Sequence, residues 1–294
     1  MFREMAVRHI KPLLSDMAWR ALRRTFPGTA RIDAQRDALE ARRLQGLAEA
    51  RLERASRMVR DLEKRLAAKK VTRPSLTDLA KKYQTDKWGA HRYTPHYERH
   101  LGYLRDEKFT LLEFGIGGYR ATGRGGASLR MWKEFFPNAR ILGVDVEDKT
   151  FVNDDRITAY VGSQTDESLI TSIIRDFGDV KVVIDDGSHQ NAHVRASFAF
   201  VFPLLGDRTH YIIEDLQTSY WPRYGGSPDP GVTHTSIGLA KSLIDDLNYE
   251  EYTDESYHPT HVQEHVVGLH FYHNMLFVDK GTNREGRKGH TDHS

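Results

Sequence analysis

The chain has 294 residues, 39% hydrophobic and 29% charged, with a formal net charge of +2 at pH 7. That apolar fraction excludes a wholly disordered chain, and the length suits one large domain or two small ones. The absence of cysteine excludes disulfides, thiolate nucleophiles and Cys-ligated metal centres, so any metal must be held by carboxylates or by some of the 15 histidines. No run of about 18 apolar residues is present, so no spanning helix is expected. Charges interrupt the apolar residues at the N-terminus and no small-residue cleavage site follows, so a cytoplasmic protein is expected.

The near-neutral total conceals an asymmetry. Residues 1–74 carry 19 Lys+Arg against 9 Asp+Glu, a balance of +10, which leaves −8 for residues 75–294. Two parts with different partners are therefore expected, a basic helical segment over 1–74 and a second domain over 75–294. Residues 5–25 scatter Met5, Val7, Ile10, Leu13, Leu14, Trp19 and Leu22 among arginines, with Pro12 interrupting. From 33 to 70 there is no proline, and Ala48, Leu52, Ala55, Val59, Leu62 and Leu66 recur at spacings of 4, 3, 4, 3 and 4. This is a heptad seam, with Asp33 placed to cap the helix. Such a helix can lie solvated on its own domain, pair with a second subunit, or approach an anionic surface. Interleaved acids and scarce aromatics weigh against nucleic acid. Self-association is expected, with peripheral membrane contact as the alternative.

Beyond Ser75 short apolar runs alternate with helical patterns. Runs at 109–114, 141–146, 180–184 and 211–213 read as buried strands, each ending near a glycine or carboxylate. Helical patterns fill 128–136, 167–177 and 193–205, so the expected fold is α/β, a doubly wound, mostly parallel, Rossmann-like sheet. Residues 266–272 and 275–280 flank His273-Asn274 and predict an antiparallel C-terminal hairpin. The polar tail from Gly281 is expected to be loose.

The first strand delivers Glu113-Phe114-Gly115-Ile116-Gly117-Gly118. Glycines there allow a ligand close to the backbone at the carboxyl end of the sheet. Asp145 ends the next strand 32 residues after Glu113, where a carboxylate can accept both hydroxyls of a ribose. A dinucleotide fingerprint would want a third glycine where Arg120 stands. An acidic Glu113 suits a cationic ligand better, such as S-adenosyl-L-methionine. Gln164, in Gly162-Ser163-Gln164-Thr165-Asp166, is expected near an adenine edge. Asp185-Asp186-Gly187-Ser188-His189 and Glu214-Asp215 end two further strands, with Glu214 28 residues after Asp186. Carboxylates crowded on one rim repel unless neutralised, and hard oxygen donors suit Mg²⁺ or Mn²⁺. His189 is placed to act as a general base.

These segments, together with Asp86-Lys87-Trp88, Gly126-Ala127-Ser128-Leu129-Arg130-Met131-Trp132 and the run from Glu214 to Pro222, resemble the metal-dependent sugar O-methyltransferases of macrolide biosynthesis, of the mycinamicin VI and macrocin type. The resemblance spans about 76–283. It implies a class I S-adenosylmethionine-dependent fold and a magnesium site, with Asp186, Glu214 and Asp215 as metal ligands and His189 as catalytic base. Tyr119, Ser128 and Asp185 then join Glu113, Gly115, Gly117, Asp145 and Gln164 as expected cofactor contacts. The basic segment before residue 75 departs from the family pattern.

The expected reaction is O-methylation of a sugar hydroxyl in a glycosylated natural product. Tyr220, Trp221, Tyr224 and the stretch 225–231 would line the sugar pocket or form a lid. Methylation of a cell-envelope polysaccharide or glycolipid is the alternative acceptor. A nicotinamide-dependent oxidoreductase on the same sheet is the alternative chemistry, and a non-catalytic helical scaffold is the third.

Overall fold

The fold was analysed in a computed structural model, which describes residues 29–71, 73–119, 123–254 and 256–284. The apolar residues at 5–25, Arg120 and most of the polar tail lie outside the described residues. The chain separates into two units at Arg73/Pro74. The first contains one long helix, α1 (Thr29–Val71). It starts four residues before Asp33, so Asp33 lies inside the helix and does not cap it, a correction of the sequence expectation. Leu52, Val59 and Leu62 of the heptad seam are exposed, as are Leu39, Leu44 and Leu47. Among the described residues no helix is long and apolar enough to cross a membrane.

The second unit is built on one seven-stranded sheet in the order β3-β2-β1-β4-β5-β7-β6. Its strands are β1 (Thr110–Phe114), β2 (Arg140–Asp145), β3 (Ile157–Val161), β4 (Val180–Asp185), β5 (Thr209–Ile213), β6 (Val266–Tyr272) and β7 (Met275–Lys280). β1 to β5 run parallel, and β7 joins β5 antiparallel to form the expected terminal hairpin with β6. Every residue of β1 and β5 is buried, as expected for strands covered on both faces.

Helices cover the two faces. α2 (Leu76–Tyr83), α3 (Thr94–Leu101) and α4 (Ala127–Phe135) precede or follow β1, α5 (Glu167–Phe177) follows β3, and α6 (Asn191–Leu204) follows β4. α7 (Ser236–Leu247) and the single turn α8 (His261–His265) lie between β5 and β6. Tyr97, Trp132, Phe135 and Phe136 fill the core on one face, and Ile170, Phe198, Val201 and Phe202 fill it on the other. Ser75 opens α2 with a reciprocal capping box to Asp78.

The strand order reverses between β1 and β4. In open sheets this switch point is where the loops after the two strands diverge and leave a crevice. The register puts Phe114 beside Asp185 and Asp185 beside Ile213. The loops after β1, β4 and β5 therefore emerge side by side on one rim.

Candidate active site

The loop after β1 is built from left-handed glycines. Gly115 has φ +86°, and a Cβ there would lie 2.1 Å from the Asp186 carbonyl oxygen, so only glycine lets the β1 and β4 loops touch. Asp145 secures the loop from β2: its Oδ2 accepts the Ile116 amide at 2.8 Å and its Oδ1 the Glu147 amide at 2.9 Å. The buried Lys149 donates to the carbonyls of Tyr119 and Arg124. Tyr119 itself is 91% exposed. Gly115, Gly117 and Tyr119 thus lie on one turn, which Asp145 holds from the end of β2.

Four other expected cofactor contacts direct their polar groups inward. Glu113 is fully buried; Trp132 donates its indole N–H to it at 3.1 Å, Ser128 hydrogen-bonds it, and Lys87 stands 3.1 Å away. The cation facing Glu113 is therefore a lysine of the chain. Burial pushes the Glu113 carboxyl up to about 7, against the pull of Lys87. Asp185 accepts from Gln164 Nε2 at 2.8 Å, Ser197 Oγ at 2.8 Å and Tyr211 at 3.1 Å. Gln164 Oε1 accepts the Ser188 amide at 2.7 Å, so this side chain braces the β4 loop.

The acidic rim assembles as the strand ends require. Asp186, His189 and Asp215 each offer one ligand atom, and these lie within 4.8 Å of one another. His189 Nε2 is 3.6 Å from Asp215 Oδ2 and 4.0 Å from Asp186 Oδ1. Glu214, expected beside them, is 4% exposed; its Oε1 accepts from Lys87 at 2.7 Å and from the Tyr97 hydroxyl. Burial and the neighbouring Asp186 hold its carboxyl well above the ordinary range, and burial also raises Asp186. Such a rim calls for a cation. Its carboxylate oxygens are donors that fit a hard divalent ion, with the His189 imidazole beside them.

Residues 87–97, between α2 and the middle of α3, complete the site. Lys87 is 1% exposed and sits 2.7 Å from both Asp186 and Glu214. Burial alone would lower its pKa, but Asp186, Glu214 and Glu113 hold it well above the ordinary value. The Tyr93 hydroxyl donates to Asp215 Oδ1 at 2.8 Å, and His91 Nε2 lies 3.6 Å from the same oxygen. None of these roles was read from the sequence, although Lys87 stands within a motif that was singled out. A buried lysine is too rare to be expected from its residue type.

Beside the rim lies a cleft of about 510 Å³, lined by His91, Arg92, Tyr93, His96, Gln217 and His273 among others. The expected pocket residues Tyr220, Trp221 and Tyr224 do not line it. They lie on two short turns after Asp215, where the buried Asn191 donates to the carbonyls of Thr218 and Tyr224 at 3.2 and 2.9 Å. The Tyr224 ring lies 6.5 Å from that of His189.

No protein-family model matches the chain. The chain is 48% identical over 224 residues to demethylmacrocin O-methyltransferase of Streptomyces fradiae, a match that covers 75% of this chain and 57% of that protein. It is 47% identical over 217 residues to mycinamicin VI 2''-O-methyltransferase of Micromonospora griseorubida, covering 73% and 54%. The solved structure of the MycE methyltransferase of the mycinamycin biosynthetic pathway, in complex with Mg and SAH, matches 73% of this chain and 55% of its own with a TM-score of 0.71. The chain spans little more than half the length of these relatives. In sequence as in fold, most of this chain is similar to sugar O-methyltransferases of macrolide biosynthesis, and its sheet has class I methyltransferase architecture.

Proposed function

We propose that residues 75–294 transfer a methyl group from S-adenosyl-L-methionine to a hydroxyl of a sugar on a glycosylated natural product, with Mg²⁺ or Mn²⁺ held by the acidic rim. The observation that carries this reading is the convergence of Asp186, Asp215 and His189 within 4.8 Å beside a glycine turn at the switch point. The turn 115–119 and Asp145 would hold the cofactor, backed by Glu113, Ser128, Gln164 and Asp185. Asp186, Glu214 and Asp215 would hold the cation. When bound, a divalent cation lowers the pKa of a coordinated hydroxyl and the sulfonium supplies an activated methyl. His189 Nε2, 3.6 Å from Asp215 Oδ2 and 4.0 Å from Asp186 Oδ1, takes the acceptor's proton. The cleft behind Tyr93 seats the rest of the acceptor, with the His91 ring, stacked on Tyr93, offering a flat face to a pyranose. Much of the acceleration is positioning, because the methyl donor is already reactive.

A cytoplasmic setting, where the methyl donor is made, fits this chemistry. The exposed seam of α1 supports self-association of the chain. Equilibrium binding of S-adenosylhomocysteine and NAD, followed by turnover with and without chelator, tests the reading. The expected result is binding of the homocysteine product and loss of turnover on chelation, restored by Mg²⁺ or Mn²⁺. Asp186→Ala, Glu214→Ala and Asp215→Ala should likewise abolish turnover with cofactor binding largely kept. Tight binding of NAD alone, or full activity after exhaustive chelation, overturns it.

A further inference from the structure

Each of the three rim carboxylates has one oxygen already engaged by a buried donor. Asp186 Oδ2 and Glu214 Oε1 each accept from Lys87 Nζ at 2.7 Å, and Glu214 Oε1 also accepts from Tyr97. Asp215 Oδ1 accepts from the Tyr93 hydroxyl at 2.8 Å. Lys87, Tyr93 and Tyr97 are 1%, 3% and 0% exposed, so water cannot readily replace any of them. All three come from residues 87–97, whereas the acids come from the ends of β4 and β5. Asp186 Oδ1, Glu214 Oε2 and Asp215 Oδ2 are left, and the first and last face His189 Nε2 at 4.0 and 3.6 Å.

This pattern bears on which ion the rim accepts. Ca²⁺ takes six to eight oxygens and commonly uses both oxygens of a carboxylate, whereas Mg²⁺ demands a tight octahedron. A carboxylate with one oxygen in a charge-assisted or buried hydrogen bond can give the second to an ion only by abandoning that donor, which is then left unpaired. We propose that Lys87, Tyr93 and Tyr97 are positioning residues that hold Asp186, Glu214 and Asp215 to one oxygen each, and so set the preference of the rim for Mg²⁺ or Mn²⁺ over Ca²⁺. The inference rests on the reading of the rim as a metal site.

Isothermal titration of Mg²⁺, Mn²⁺ and Ca²⁺ into the full chain, without acceptor, reads the preference directly and needs no turnover. Tyr93→Phe removes only a hydroxyl and frees Asp215 Oδ1; Tyr97→Phe takes one donor from Glu214 while Lys87 stays. The expected result is a fall in the Mg²⁺-to-Ca²⁺ affinity ratio of roughly 10–100-fold in Tyr93→Phe, with a smaller fall in Tyr97→Phe. A merely structural hydroxyl would weaken all three ions together and leave the ratio unchanged, and that result overturns the proposal. Lys87→Met removes a buried charge, so its circular dichroism is compared with the parent's before its ratio is read. If the parent chain binds none of the ions, the metal reading falls and this inference with it. If the parent prefers Mg²⁺ and Tyr93→Phe does so equally, only the role of the three donors falls.

Discussion

His189 and Asp215 are both held in the left-handed backbone region, at φ +56° and +55°, where side chains other than glycine are uncommon. Strain of this kind persists where the surroundings over-determine it, and here the β4 and β5 loops are tied at Gly115, Gln164 and Tyr93. The two residues are thereby aimed at one another. If His189 is the base, His189→Ala should lower turnover by about 10²–10⁴-fold with metal affinity little changed. Single-turnover kinetics beside a metal titration separates the outcomes: a parallel loss of metal affinity would make His189 a ligand, and a nearly unchanged rate would leave it a turn residue. The strand-end acids and His189 could be read from the sequence because a buried apolar run that stops at consecutive carboxylates has few structural uses. Lys87, Tyr93 and Tyr97 could not, since nothing local marks which lysine or tyrosine is carried inward from a preceding segment. Glu113 shows the converse. Its charge points in the sequence to a cationic ligand, and in the structure the Lys87 ammonium stands 3.1 Å from it.

At the scale of elements, α3 packs on the β6–β7 hairpin through histidines rather than aliphatic residues. The His100 ring lies 4.4 Å from that of His270 and 4.5 Å from Phe277, and its Nε2 meets the Tyr272 hydroxyl at 2.8 Å. Asp279 bridges His210 at 2.6 Å and His270 at 2.9 Å. Burial, followed by repulsion from His270, lowers the His100 pKa from 6.5 to about 4, with Asp279 opposing and His210 and Arg99 reinforcing. Between those two values the unfolded chain takes up a proton that the folded chain refuses. Stability is therefore unaffected above about pH 6.5 and is lost as pH falls through the window toward 4. Denaturant unfolding at pH 7 and pH 5 should show a difference smaller in His100→Gln than in the parent, by roughly 1 kcal/mol or less once solvent screening is allowed for. An identical difference would show that His100 does not report this packing. Six of the seven strands, the two of the hairpin among them, are legible because their apolar runs are continuous or bounded by turn residues, whereas β3 (Ile157–Val161) alternates buried with more exposed residues and shows no such run. The helices α2, α3 and α7 went unread. Two of them have only eight residues, too few for a helical period to stand out, and α2 is recognisable chiefly through its capping box.

For the whole molecule, what remains to be explained is why a basic helix of 43 residues precedes an acidic α/β unit. Leu52, at 70% exposed, and Val59 and Leu62, at 53% and 52%, lie on the heptad seam, yet alanine fills two of its other three positions. A seam of about three heptads with that much alanine is marginal as an isolated helix in water. Its stability has to come from packing on another surface, and the charge balance indicates which. Residues 1–74 carry +10 and residues 75–294 carry −8, so copies of the chain are complementary head to tail, and approach is favoured at low salt. We therefore expect the segment to act in assembly, with a chain beginning at Pro74 retaining S-adenosylhomocysteine binding but forming smaller particles than the full chain. Light scattering on both, with Leu52→Glu in the full chain as a third sample, measures this. The substitution puts a charge into the seam and should reproduce the lower subunit number without any truncation. Equal subunit numbers for all three, each mass divided by that of its own chain, would remove the assembly role and leave the basic α1 to an anionic membrane, which vesicle co-sedimentation at two salt concentrations would then detect.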